Sequence, residues 1–259
     1  MTPTRPRFAQ ATREPCEDPR PMTSISIASL NLRYGIAPKS EQPFDVVAAI
    51  RALDADVVGL QEVWRPKHGE AAHELAAAEL GYAVADLQLP RKHNKTSPPL
   101  VRNTEGLHGS WWGVSILSRL PILDTTAVDF APILFDAGHR RSLVATVKTP
   151  WDQDLAVVSS HLTYRLWGSI NHLRTLAKHG RALTSEAVLV GDLNMWGPVV
   201  DRFVPGWQRP VRGRTWPHSR PHSQIDHILV SHGLRVTDAR VCNPVGSDHL
   251  PVRVCLQAA

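Results

Sequence analysis

The sequence predicts an α/β fold in which strands outnumber helices. Short apolar runs recur along the chain, each broken by glycine, proline or a polar residue, which is how strands read. Between them only three segments space their apolar residues at the helical period. No internal repeat and no shift of composition divides the chain after residue 22, so one domain is expected over residues 23–259. Of the 259 residues 42% are hydrophobic and 20% charged, which supplies a packed core and excludes global disorder.

Residues 1–22 are rich in proline, mixed in charge and lack the apolar centre of a secretory signal, so a disordered leader is expected, with Met1 and Met22 both open as starts. SISIASLNLRYG (24–35) alternates as a strand and breaks at Gly35. PFDVVAAIRALDAD (43–56) carries Val46, Val47, Ile50 and Leu53 at helical spacing, and VVGLQEV (57–63) follows as a buried strand. GEAAHELAAAELG (69–81) reads as an alanine-rich helix stopped by glycine. Residues 88–110 are polar, basic and proline-bearing, the composition of a long exposed loop.

WWGVSILSRLPIL (111–123) returns to strand, and residues 141–163 form a hairpin around Pro-Trp-Asp-Gln-Asp. A helix is expected over 169–184, then a strand at EAVLV, a proline- and arginine-rich loop over 197–223, and strands at QIDHILV, LRVTDARV and HLPVRVCL.

The formal charge is +5 and the pI about 9.4, compatible with an anionic substrate such as a phosphate ester or nucleic acid. Cys16, Cys242 and Cys255 have no metal-knuckle spacing and are odd in number, so a reducing, cytoplasmic setting is expected. No apolar run is long enough to span a membrane, and a monomer is expected.

The polar residues of these strands fall into a pattern. Asn31, Glu62, His161, Asp192 and Asn194 end apolar runs, whereas Asp226 and the pair Asp248-His249 begin them. If the later strands run antiparallel to the earlier ones, all eight residues reach one edge. Four carboxylates crowded there repel one another and lose water, a cost that a divalent cation offsets. Carboxylates and an amide, without paired cysteines or HExxH, suit a hard ion such as Mg²⁺ or Mn²⁺ better than zinc.

SLNLRYG, LQEV, SSHLT, GDLNMW, QIDHILV and GSDHLPV, in that order, resemble the endonuclease/exonuclease/phosphatase superfamily, the deoxyribonuclease I-like metal-dependent phosphoesterases. The resemblance covers about residues 24 to 256. It implies a four-layer α/β sandwich, two mixed sheets face to face with helices on the outer faces. It also implies hydrolysis of a phosphomono- or phosphodiester by direct attack of water.

Carried over residue by residue, it makes Glu62 the main metal ligand, with Asn31 and Asp248 beside it. Asp192 positions or deprotonates water, and Asn194 orients it or holds phosphate. His249, its ring fixed by Asp226, meets a non-bridging oxygen, and His161 assists at the phosphate or leaving group. One departure counts: where the abasic-site endonucleases carry an acid two positions after the asparagine, this chain has Arg33. That argues for a phosphorylated small molecule or lipid headgroup as substrate, with a basic nuclease as the alternative and a non-catalytic binding protein as a third reading.

Each residue also has a plainer reading. Asn31, and Asp192 with Asn194, suit ordinary turns; His161 suits a satisfied buried histidine. His227 alternates with Asp226 and is read as structural. Trp111, Trp112, Trp196 and Trp216 suit either a pocket or core and rim packing. Arg91, Lys92, His93, Lys95 and Arg102, and later Arg209, Arg212, Arg214 and Arg220, suit either anion contact or solvated loops. The joint occurrence of the six motifs favours the catalytic reading.

Overall fold

The computed structural model describes residues 23–89, 111–134, 136, 139–183 and 186–259. Two six-stranded sheets carry the fold. The first contains β1 (Ser24–Asn31), β2 (Val57–Arg65), β3 (Ala83–Leu89), β4 (Trp111–Ser118), β11 (Leu234–Val241) and β12 (Val252–Ala258), in the order β11-β12-β1-β2-β4-β3. The second contains β5 (Ile122–Asp129), β6 (Arg141–Lys148), β7 (Asp154–His161), β8 (Glu186–Asp192), β9 (Trp207–Gln208) and β10 (Asp226–Ser231), in the order β5-β6-β7-β8-β10-β9.

Both sheets are mixed: β1 and β2 run parallel, as do β7 and β8, and the other neighbours are antiparallel. A core of branched residues fills the space between the sheets, among them Ile27, Val114, Val157, Val190 and Val254. Gly59 of β2 lets the two sheets approach, since a methyl there would lie 2.3 Å from Val190 Cγ2.

Helices α1 (Val46–Leu53) and α2 (Ala72–Leu80) cover the first sheet, packing Val46, Ile50, Leu53 and Ala76 onto Leu30, Val58 and Leu60. Asp45 caps α1 by accepting the Ala48 N–H at 2.8 Å. Helices α3 (Leu166–Leu183) and α4 (Gly197–Phe203) cover the second sheet with Ile170, Leu173, Leu176 and Val200 against Val158, Leu189 and Leu229. The result is the four-layer sandwich that the resemblance implies. No helix among the described residues is long and apolar enough to cross a membrane.

Several expectations need correction. The segment 111–123 is two strands, separated by the turn that Ser118 makes with Leu120. Strand β3 and helix α4 stand where no element was expected. Asp248 and His249 precede the last strand rather than beginning it, because Pro251 has no N–H to donate and pairing starts at Val252. Glu62 is not at a strand end, since β2 continues to Arg65. The leader, Cys16, and Arg91, Lys92, His93, Lys95 and Arg102 lie outside the described residues.

His227 points away from the edge, as expected. It is fully buried, and its Nε2 meets the Met195 carbonyl at 2.8 Å. Burial pushes it down to about 4 from an ordinary 6.5, so the fold takes the neutral ring. This contribution is fully present above pH 6.5 and is lost as the pH falls toward 4. Its size is about 3 kcal/mol. Urea unfolding of His227→Asn should therefore show a shallower loss of stability than wild type between pH 6.5 and 4; equal slopes would rule out this source.

Candidate active site

The parallel pairs β1/β2 and β7/β8 end at the same edge, and β10 starts there. Three adjacent strands place His161, Asp192 and Asp226 side by side, since Asp192 is in register with both of the others. Asn31, the last residue of β1, reaches across from the facing sheet, its Nδ2 donating to Asp192 Oδ2 at 3.2 Å. The five groups Asn31, His161, Asp192, Asp226 and His249 are all under 7% exposed, which the bare sequence could not show.

Asp192 is the hub. Its Oδ1 accepts the Asn194 N–H at 2.9 Å, a local turn that holds Asn194 at φ 51° while Asn194 Nδ2 donates to Leu162 O. Its Oδ2 lies 3.6 Å from His161 Nε2 and 3.9 Å from His249 Nε2. Gly191 makes this position possible: a methyl there would lie 1.9 Å from Ser160 O, and its φ of 148° is one that side chains rarely adopt.

Glu62 enters by a β-bulge. Gln61 pairs with Val114 and Val63 with Gly113, so Glu62 is the extra residue, at φ 50°. Bulges re-aim a side chain, and here Glu62 Oε1 comes within 3.8 Å of His161 Nε2.

His249 stands on the loop after Gly246, where Ser247 ties that loop to β1. The Ser247 hydroxyl donates to Asn31 O at 2.6 Å and accepts the His249 N–H at 3.2 Å. Sequence reasoning passed over Ser247, and only its adjacency to Asp248 could have drawn notice. Both oxygens of Asp226 lie 3.0 Å from His249 Nδ1, which fixes Nδ1–H as donor and leaves Nε2 facing the edge. Asp248 lies outside this buried set, with Trp216 Nε1 at 3.5 Å and Arg33 Nε at 3.8 Å from its Oδ2. Arg33, the departure noted above, is also held by Glu41 at 2.8 Å.

Charge follows position. Burial is the largest influence on Asp192 and raises it to about 7 against the opposing charge of His249. Burial opposes charge on His249, but Asp226, then Asp192 and Asp248, outweigh it and raise the ring to about 10. Burial, then the charge of Asp248, raises Glu62. Two carboxyls are thus held above their usual range, chiefly by burial.

Asp192, Asp226 and His249 bring ligand atoms within 4.8 Å of one another and could hold a metal. Asp226 already has the His249 ring as its cation, however. The donors left to a hard cation are oxygens, from Glu62, Asp248 and Asn31, a chemistry that fits Mg²⁺ or Mn²⁺.

Several residues left open between site and packing lie outside this cluster. Trp112 is core, 6.3 Å from the His161 ring centroid and edge-on to it, and Trp196 is 64% exposed. Arg209 is buried and held by both oxygens of Asp201, at 2.8 and 2.7 Å, and by Gln224, which makes it an anchor for α4. Arg212 shares Asp201.

The described fold matches solved structures. A Beutenbergia cavernae endonuclease/exonuclease/phosphatase is 22% identical, covering 92% of this chain and 72% of its own, with a TM-score of 0.70. The human Nocturnin catalytic domain, with bound sulfate, is 16% identical over 92% and 95%, with a TM-score of 0.67. A Bacteroides thetaiotaomicron mannosyl-6-phosphatase is 18% identical over 90% and 99%, with a TM-score of 0.62. No curated protein sequence matches. The sequence profile described as "Endonuclease/Exonuclease/phosphatase family" matches residues 28–249, and the chain belongs to that family.

Proposed function

We propose that the protein is a Mg²⁺- or Mn²⁺-dependent phosphoesterase that hydrolyses a phosphomono- or phosphodiester by direct attack of water. The observation that carries this reading is the convergence of Asn31, His161 and His249 on the single carboxyl of Asp192 at one edge of two sheets. Family membership and the structural likeness to a mannosyl-6-phosphatase agree with it.

In this reading Glu62, Asn31 and Asp248 hold the cation, which when bound supplies Lewis-acid stabilisation of charge on the phosphoryl oxygens. Asp192 accepts the proton of the attacking water, its affinity for that proton raised to about 7 by burial. Asn194, fixed by the Asp192 turn, orients the water or a phosphoryl oxygen. His249 is an imidazolium whose Nε2–H has no carboxylate closer than 3.9 Å. No carboxylate takes that N–H at hydrogen-bond distance, so it can donate to a non-bridging oxygen and the charge acts where negative charge develops. Asp226 keeps the ring oriented, and His161 stands on the other side of Asp192 to assist at the leaving group.

Hydrolysis of bis-p-nitrophenyl phosphate with Mg²⁺ or Mn²⁺, stopped by chelation and restored by metal, is the expected result. Inactivity of the metal-loaded protein on phosphomonoesters, phosphodiesters and plasmid DNA alike would overturn the reading. Glu62→Gln should raise the Mg²⁺ concentration needed for half-maximal rate by roughly 10–100-fold, as metal-shell changes do.

A basic nuclease is the second reading, favoured by the net charge of +5 and by exposed Arg214 and Arg220. It requires affinity for DNA to fall steeply with salt, because phosphate contacts release counterions. A flat salt response excludes it.

A further inference from the structure

Eight large hydrophobic side chains stand exposed among the described residues, and five of them lie at the catalytic edge, Leu134, Tyr164 and Trp196 on its loops and Leu166 and Trp167 in the first turn of α3. Their exposures run from 43% for Leu166 to 78% for Trp167. Soluble proteins rarely gather such side chains in one exposed place without a use.

The five share a rim. The space above Gly168 is closed by Thr163 and Ile133, whose side chains would lie 2.7 and 2.9 Å from a methyl there, so their neighbours Trp167, Tyr164 and Leu134 are brought together. The bond from Asn194 Nδ2 to Leu162 O, 2.9 Å, brings in the loop of Trp196. Tyr164 follows His161 by three residues and Trp196 follows Asn194 by two, so the rim borders the site without belonging to its machinery.

Charge singles out the occupant. From His161 to Leu183 the chain has no acidic residue; Arg165 lies 4.8 Å from the Tyr164 ring centroid at the rim, and Arg174, 4.7 Å from the Phe203 ring centroid, and Lys178 follow farther down the exposed side of α3. Tryptophan and tyrosine with leucine, backed by arginine and lysine, suit the boundary of an anionic bilayer, where rings sit among headgroups and cations meet lipid phosphates. A single-stranded polynucleotide would use the rings and cations but find no stacking partner in Leu134 and Leu166.

We infer that this rim docks on an anionic phospholipid surface and presents a headgroup phosphate to the site. The second half rests on the proposed phosphoesterase activity; the docking does not.

The test is co-sedimentation of the full chain with phosphatidylcholine–phosphatidylserine vesicles, with phosphatidylcholine vesicles as comparison. Wild type should bind the anionic vesicles, less so at high salt. Trp167→Ser/Trp196→Ser should bind roughly tenfold or more weakly, since two large apolar contacts are lost. The double variant should keep the wild-type melting temperature and its rate on bis-p-nitrophenyl phosphate.

Absence of wild-type binding, equal binding by the variant, or preference for poly(dT) over vesicles would overturn the docking, as would a concentration-dependent dimer abolished by the same substitutions. Vesicle binding without hydrolysis of any phosphoester would instead count against the proposed activity and leave the docking standing.

Discussion

Asp192→Asn is expected to lower turnover on bis-p-nitrophenyl phosphate by roughly 10²–10⁴-fold, the range lost with a general base. The amide has the same shape and its oxygen still accepts the Asn194 N–H, but its nitrogen replaces the oxygen that accepts from Asn31, so one bond across the edge is lost. Stability should depend less on pH. The fold raises Asp192 from 3.8 to about 7, so without a cation the wild type loses stability as the pH climbs through that window. The amide has no proton to release, so in chelator the variant's melting temperature should fall less than the wild type's as the pH climbs from about 4 to about 7. Wild-type turnover by the purified variant would sink the mechanism.

Gly191→Ala should act on the fold. The added methyl meets the Ser160 carbonyl at 1.9 Å, backbone against backbone, at a φ of 148°. Relief requires β7 and β8 to part where Ser160 pairs with Gly191, one position before His161 pairs with Asp192. A cost of about 4 kcal/mol or more is expected, at the top of the range for single substitutions. Guanidinium unfolding measures it, and a loss under about 1 kcal/mol, within the ordinary spread, would contradict the close approach.

Most of the site was readable because its residues end or precede apolar runs whose period is unmistakable. The run Ala187–Val190 is buried on both faces, so the polarity of Asp192 stands out against it. Strand β3 was passed over because it is an edge strand with only Ala85 and Leu89 buried, and its alanines and aspartate carry little strand propensity. The last strand was placed too early because the apolar pattern does not register the missing N–H of Pro251. The role of Arg209 depended on Asp201, on a short helix that prolines and arginines disguised as loop. The bulge at Glu62 leaves no trace in composition, since nothing about LQEV announces a left-handed backbone.

That backbone bears on any attempt to stabilise the protein. Arg33, Tyr34, Glu62 and Asn194 all hold left-handed angles at this edge, each a conformation that costs non-glycine residues about 1–2 kcal/mol. Glu62 is also the one residue of β2 that the ladder would pair without. Glycine there should raise the melting temperature while removing the carboxylate, so under the proposed function thermal resistance and turnover pull this position in opposite directions. A screen for hardier variants will reach this edge as well as the left-handed turns at Glu41, Asp54 and Asp152, and only an activity filter will tell them apart.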